Sequence, residues 1–254
     1  MSAYFPVLTA LSMALLLACT ALAYVAHKCR RIYLKQFEAE RLASERIDNL
    51  YTQLETRFAL EKDLALPASL PSTRGWAGSP DFLRHVHRIA TRLRPENIVE
   101  CSSGTSTVVL ARTVQLNGRG HVYSLEHEPQ YAQITRAELE RQGLQAYATV
   151  IDAPLRKHAL PRGNWQWYET IGLPPIIDLL VVDGPPTTTQ PLARYPAVAV
   201  LNDRIAAGGR VILDDAARPD ERTAVAYWNS EFQFVAEAEL FAEKGIAFLK
   251  RQGV

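Results

Sequence analysis

Asn97-Ile98-Val99-Glu100-Cys101-Ser102-Ser103-Gly104-Thr105-Ser106 decides the fold. A short apolar run ends in an acid, passes through a loop of small residues and opens into a helical pattern, as strands of an α/β sheet do. Three further runs end the same way: His121 to Glu126, Ile176 to Asp183 and Arg210 to Asp215. In an open parallel sheet with helices on both faces, ligands bind outside the carboxyl ends of the strands. Four acid-ended strands therefore predict one shared crevice.

Outward from that stretch the chain alternates. Ser79 and Pro80 predict the start of a helix over Asp81 to Leu93, which Pro95 closes. Strand Asn97–Cys101, helix Ser106–Leu116, strand Gly120–Glu126, helix Pro129–Gln142 and strand Tyr147–Ile151 follow. Next come strand Ile176–Asp183, a helix from Leu192 to Ala207 and strand Arg210–Asp215. This alternation predicts a doubly wound, mostly parallel sheet. After a helix over Asp220–Asn229, the β-rich runs Phe232–Glu239 and Ile246–Arg251 flank a short turn at Lys244 and Gly245, so an antiparallel hairpin is expected to end the sheet.

The N-terminus differs from the rest. Phe5 to Ala26 carries no charge and, as a helix, spans about 33 Å, enough to cross a bilayer. No Lys or Arg precedes it, as a cleaved leader requires, and Lys28, Arg30, Arg31 and Lys35 follow it. These features predict a single-pass anchor over residues 1–30 with the C-terminal side in the cytoplasm. Residues 31–66 predict a helical stalk whose narrow seam, Ile47, Leu50, Leu54 and Phe58, suits either a coiled coil that pairs two copies or a helix lying on the domain. Pro67 begins the catalytic domain, expected over residues 67–254. Three cysteines, Cys19, Cys29 and Cys101, give no disulfide framework. A net charge of +1 with scattered basic residues provides no nucleic-acid footprint, so no such partner is expected.

Small residues in the loop Ser102-Ser103-Gly104 let backbone approach a ligand. Against the dinucleotide pattern G-x-G-x-x-G only Gly104 is a glycine, with Ser102 and Thr107 in the other two places. Glu126 ends the second strand about 20 residues further on, where a carboxylate accepts hydrogen bonds from ribose hydroxyls. A nucleoside-containing ligand is expected. Asp183, Asp214 and Asp215 end two strands that should be neighbours, so three carboxylates converge and suit a divalent ion such as Mg²⁺. The alternative is that Asp183 orients substrate while Asp214 and Asp215 cap the next helix. Asp183, His127 and His158 are candidate bases, and Trp165, Trp167 and Tyr168 form either a substrate wall or a cover for the sheet.

Thr73-Arg74-Gly75-Trp76, Ile98 to Thr107, Tyr123 to His127, Val182 to Pro186, Arg194-Tyr195-Pro196 and Leu213 to Glu221 occur in that order. The set resembles the class I S-adenosylmethionine-dependent methyltransferases, and within them the bacterial methyltransferase family 24, related to the catechol-type O-methyltransferases. The resemblance covers Leu70 to the C-terminus. It implies a Rossmann-like seven-stranded sheet and S-adenosylmethionine as cofactor. It further implies that Glu100, Ser102, Ser103 and Gly104 line the methionine end, that Glu126 holds the ribose, and that Asp152 with Ala153 meets the adenine. The catechol-type enzymes place a divalent ion at the strand ends matching Asp183, Asp214 and Asp215, together with a lysine three residues after the first acid, where this chain has Pro186. The activity expected is methyl transfer, at oxygen, to a small-molecule or lipid-linked acceptor at the membrane face. The rival readings are an inactive scaffold of the same fold and an NAD-dependent oxidoreductase, the second of which needs the glycine fingerprint that is missing.

Overall fold

The computed structural model describes residues 4–238 and 240–252. Met1–Thr52 and Gln53–Val254 form separate compact units. In the first, the described residues are the exposed beginning of helix α1 (Phe5–Leu64), which is long and apolar enough to cross a membrane. The last turns of α1, from Gln53 onward, belong to the second unit and pack within it through Gln53, Leu60 and Leu64, at the seven- and four-residue spacing of one helix face. The seam Ile47, Leu50, Leu54 and Phe58, read as either a coiled-coil face or a face lying on the domain, is exposed and does not lie on the domain.

The second unit is a seven-stranded sheet between two helical layers. Its elements are α2 (Pro80–Leu93), β1 (Asn97–Cys101), α3 (Thr105–Asn117), β2 (His121–Glu126), α4 (Pro129–Arg141) and β3 (Ala148–Asp152). Then come β4 (Leu155–Leu160), β5 (Gly163–Tyr168), β6 (Ile177–Val182), α5 (Pro196–Leu201), β7 (Ile205–Asp214), α6 (Pro219–Phe232), β8 (Phe234–Ala238) and β9 (Ile246–Arg251). The strand order is β3-β2-β1-β6-β7-β9-β8, with β9 antiparallel to both of its neighbours and the other pairs parallel. The expected terminal hairpin is present, although Glu239, its predicted first-strand end, lies outside the described residues.

Side-chain alternation divides the core. Ile98 belongs to the cluster beneath α2, α3 and α4, whereas Val99 and Cys101 belong to the opposite cluster with Trp167, Tyr195 and Trp228. The reversal of strand order at β1, between β2 and β6, leaves a crevice outside its carboxyl end.

Two elements depart from the sequence reading. The helix expected from Leu192 to Ala207 is only Pro196–Leu201 followed by a short 3-10 turn, and β7 begins at Ile205. The β6–β7 register slips between Ile177 and Leu179, and Gly208, at φ 73°, allows the bulge that bends β7 there. Ala206 and Ala207 look helical in sequence yet lie in that strand. The second departure is β4–β5, a separate two-stranded hairpin between β3 and β6.

Candidate active site

The loop after β1 is held from below. Glu100 falls on the same face as Ile98 and is fully buried, with Oε2 accepting from the Thr107 and Ser124 hydroxyls at 2.6 Å each. Burial raises its carboxyl above the usual range against the pull of Ser106, Ser124 and Thr107. Glu100 therefore braces α3 against β2 and does not line the crevice, a correction that follows from strand alternation. Ser102 stands at φ 100°, backbone territory that glycine enters without strain, at a cost of about 1–3 kcal/mol. Its departure from the expected glycine leaves the turn intact. A Cβ on Gly104 would meet nothing within 4 Å, so this residue leaves open space over the loop.

Glu126 faces that space. Its Oε2 accepts from the backbone N–H of Ser103 at 3.1 Å and from the Ser103 hydroxyl at 2.9 Å, and its Oε1 accepts from the Glu128 N–H at 3.1 Å. His127 Nδ1 lies 3.2 Å from Oε1. Burial alone pushes Glu126 upward, but His127, the Glu128 N–H and Ser103 outweigh it and hold the carboxyl below its usual range. An ionised acceptor thus borders the loop. The Ser103 hydroxyl has a second partner in Thr135, at 3.0 Å.

Other expected ligand-holding residues sit differently. Asp152 pairs across the sheet with Glu126 but is exposed, and its carboxylate meets Arg136 at 2.8 Å. Ala153 is buried and contributes only its backbone, donating to the Glu126 carbonyl at 2.7 Å. His127 lies edge-on to Tyr168 beside the Glu126 carboxylate, on the ligand-holding half. His158 is tied to the Tyr168 carbonyl at 3.1 Å within the hairpin, which accounts for it structurally.

The aromatic residues divide as well. Trp167 is buried in the core and Trp165 packs on Tyr195, while Arg162 of the turn stacks over Tyr227 at 3.4 Å and pairs with Glu231. These contacts fix the hairpin over α5 and α6. Tyr168 is buried beneath the strand ends: its hydroxyl adjoins Gly184 and has no hydrogen-bond partner among the described residues.

At the ends of β6 and β7 the three predicted acids do converge, with one oxygen of each of Asp183, Asp214 and Asp215 within 4.8 Å of the others. Sequence reading missed the residue between them, Arg194. Its Nη2 donates to Asp183 Oδ1 at 3.1 Å and to Asp215 Oδ2 at 2.9 Å, and its Nη1 donates to the Asp214 carbonyl at 2.8 Å. Arg194 is 4% exposed. Arg218 supplies a second cation to Asp215 at 2.9 Å. Asp214 and Asp215 do not cap α6, whose N-cap is Arg218 with no side-chain capping bond.

The oxygens are of the type a divalent ion takes, but the guanidinium already lies between two of them. A second cation bridging those oxygens would meet it at roughly 4 Å, costing about 4 kcal/mol per unit charge at an effective dielectric of 20. The two oxygens that Arg194 occupies do not fit a bound divalent ion, whereas Asp214 Oδ1 and Oδ2 and Asp215 Oδ1 are buried with no hydrogen-bond partner among the described residues.

Burial, opposed chiefly by Arg194, raises Asp183 to about 6, and burial with the Asp183 and Asp215 charges raises Asp214 to about 8. A native state that keeps a proton on Asp214 while the unfolded chain releases it loses stability as pH rises from about 4, levelling off above about 8. The slope is at most about 1.4 kcal/mol per pH unit for one proton. Asp214→Asn is expected to flatten this dependence, read from urea midpoints between about pH 5 and 8. An unchanged slope would assign the proton elsewhere.

Residues 99–216 match the family model described as a methyltransferase domain. That segment runs from β1 to the turn after β7 and contains the loop, Glu126 and the three acids. Residues 99–216 are thus similar to a methyltransferase domain. The sequence matches no curated protein significantly. Among solved structures, the SAH-bound methyltransferase of Podospora anserina aligns with a TM-score of 0.56 at 15% identity, over 78% of this chain and 88% of that one. The O-methyltransferase of Bacillus cereus in complex with SAH gives 0.52 at 17%, over 78% and 91%. A SAM-dependent O-methyltransferase of Thermotoga maritima gives 0.50 at 16%, over 73% of each. These likenesses show that the seven-stranded sheet and its helices share the fold of those structures.

Proposed function

We propose that the chain is an S-adenosylmethionine-dependent methyltransferase, held at the cytoplasmic face of a membrane by its N-terminal helix and acting at oxygen on a small-molecule or lipid-linked acceptor. The observation that carries this reading is the juxtaposition of the open Gly104 loop with the ionised Glu126. Ser102, Ser103 and Gly104 hold the methionine end through backbone, and Glu126 takes the ribose hydroxyls. To accept them, Glu126 gives up the Ser103 hydroxyl, which keeps Thr135 as its partner. Asp152 needs only to turn from Arg136 to face the adenine.

S-adenosylmethionine supplies a methyl group that its sulfonium already activates, so the protein has to align the acceptor and remove a proton. Asp183, at the end of β6 and raised to about 6, is a base at neutral pH and takes the proton from an acceptor hydroxyl.

The exposed apolar turns of α1, followed by Lys28, Arg30, Arg31 and Lys35, support a single-pass anchor with the domain in the cytoplasm. The exposed seam Ile47, Leu50, Leu54 and Phe58 supports pairing with a second copy. The test is methyl transfer by the full chain in proteoliposomes, from S-adenosylmethionine tritiated in its methyl group. Label is expected in the lipid extract when membrane lipids from the source cells are supplied. Label confined to water-soluble products would remove the lipid-linked acceptor, and no transfer to either fraction would remove the enzyme reading.

A further inference from the structure

We infer that the guanidinium of Arg194 takes the place of the divalent cation that the catechol-type enzymes hold at this sheet edge, making the acid cluster a metal-independent acceptor site. The inference rests on the methyltransferase reading for the site's purpose, but its geometry stands alone. Nη2 of Arg194 bridges Asp183 Oδ1 and Asp215 Oδ2 and also donates to the Asp183 carbonyl at 3.1 Å, while Nη1 holds the Asp214 carbonyl. One planar group therefore ties the end of β6 to the end of β7 from within, as a bridging ion would. Glu221 Oε1 lies 3.7 Å from Nε and confines the guanidinium from behind.

The neighbouring elements leave the arrangement supplied with positive charge. Arg218, at the start of α6, meets Asp215, and Lys244, in the turn between β8 and β9, acts electrostatically on Asp183 and Asp214 and donates to the Ala77 carbonyl at 3.4 Å. Pro186, where the catechol-type enzymes have a lysine, agrees with a site built on other cations. A fixed guanidinium has no open coordination positions, so the acceptor needs no pair of adjacent oxygens to chelate. A single hydroxyl beside Asp183 suffices. Arg194 acts here as a positioning residue.

Mn²⁺ binding to the full chain in detergent, followed by electron paramagnetic resonance, tests this without any methyl acceptor. The wild type is expected to leave Mn²⁺ free at millimolar concentrations. Arg194→Met removes the charge, keeps much of the length, and is expected to gain one bound Mn²⁺ at least tenfold more tightly than the wild type. Stoichiometric Mn²⁺ on the wild type would overturn the inference, as would a folded Arg194→Met that binds none. Where that variant does not fold, the wild type decides alone: Mn²⁺ left free, with S-adenosylmethionine bound in EDTA and in Mg²⁺ alike, supports the inference, and stoichiometric Mn²⁺ overturns it. No binding of S-adenosylmethionine under either condition, with Mn²⁺ also left free, would defeat the cofactor reading and leave Arg194 as the resident cation.

Discussion

Glu126→Ala is expected to weaken S-adenosylmethionine binding by roughly a hundredfold or more. Two ribose hydroxyls donating to one ionised carboxylate contribute about 1.5–3 kcal/mol each, and alanine removes both. The native carboxyl is held below its usual range, so it is ionised at neutral pH and the loss reflects charge-assisted bonds. Glu126→Gln keeps one acceptor oxygen and is expected to lose about tenfold. Alanine also frees Ser103, His127 and the Glu128 N–H, so thermal midpoints must accompany the calorimetry. A large fall in affinity with a small fall in midpoint is the signature of a ligand-holding acid. Unchanged affinity would refute the ribose assignment.

Gly184→Ala is expected to be the most disruptive small substitution in the crevice. A Cβ there overlaps the Tyr168 hydroxyl, comes within 2.9 Å of Ser102 Cβ and lies 3.2 Å from the Cys101 carbonyl. Tyr168 is fully buried and Ser102 is already at φ 100°, so neither neighbour can withdraw cheaply. Overpacking of this kind costs about 1–3 kcal/mol, a fall in midpoint of about 2–12 °C for a domain of this size. It should also move the loop at Ser102 and lower cofactor affinity. Gly118→Ala is the control, because Gly118 has a positive φ but nothing within 4 Å of its Cβ position, so only about 1 kcal/mol of backbone strain applies. Equal losses at the two positions would mean that crowding against Tyr168 is not the cause.

Much of the architecture is legible in local patterns. Buried parallel strands read as apolar runs, and their ends read as acids, so β1, β2, β6 and β7 and the convergence of Asp183 with Asp214 and Asp215 follow from spacing alone. Glu126 is legible for the same reason. Glu100 misleads because its position at a strand end is evident in sequence whereas the face it occupies depends on α3 lying above it, where Thr107 and Ser124 take its oxygen. Arg194 belongs to the motif Arg194-Tyr195-Pro196, but its partners are out of reach of any local window: it stands 11 residues from Asp183 and 21 from Asp215 in the chain, and only the adjacency of β6 and β7 brings them together. The hairpin β4–β5 has only a weak local signal, the turn Pro161-Arg162-Gly163, because Leu155–Leu160 holds Arg, Lys and Ala rather than β-branched residues. The apolar seam of α1 was legible as a seam, but not whether it meets the domain. Ile47, Leu50, Leu54 and Phe58 have the right spacing to pack, yet the face that docks is Gln53, Leu60 and Leu64, because a half-polar face with Gln53 bonded to Asp81 satisfies the start of α2.

The central claim is that the Gly104 loop and Glu126 together hold S-adenosylmethionine. Isothermal titration of the detergent-solubilised full chain with S-adenosylmethionine, and in parallel with NAD, tests it most directly. The account predicts saturable one-to-one binding of S-adenosylmethionine and no heat from NAD; saturable NAD binding, or no binding of S-adenosylmethionine by folded protein, would contradict it.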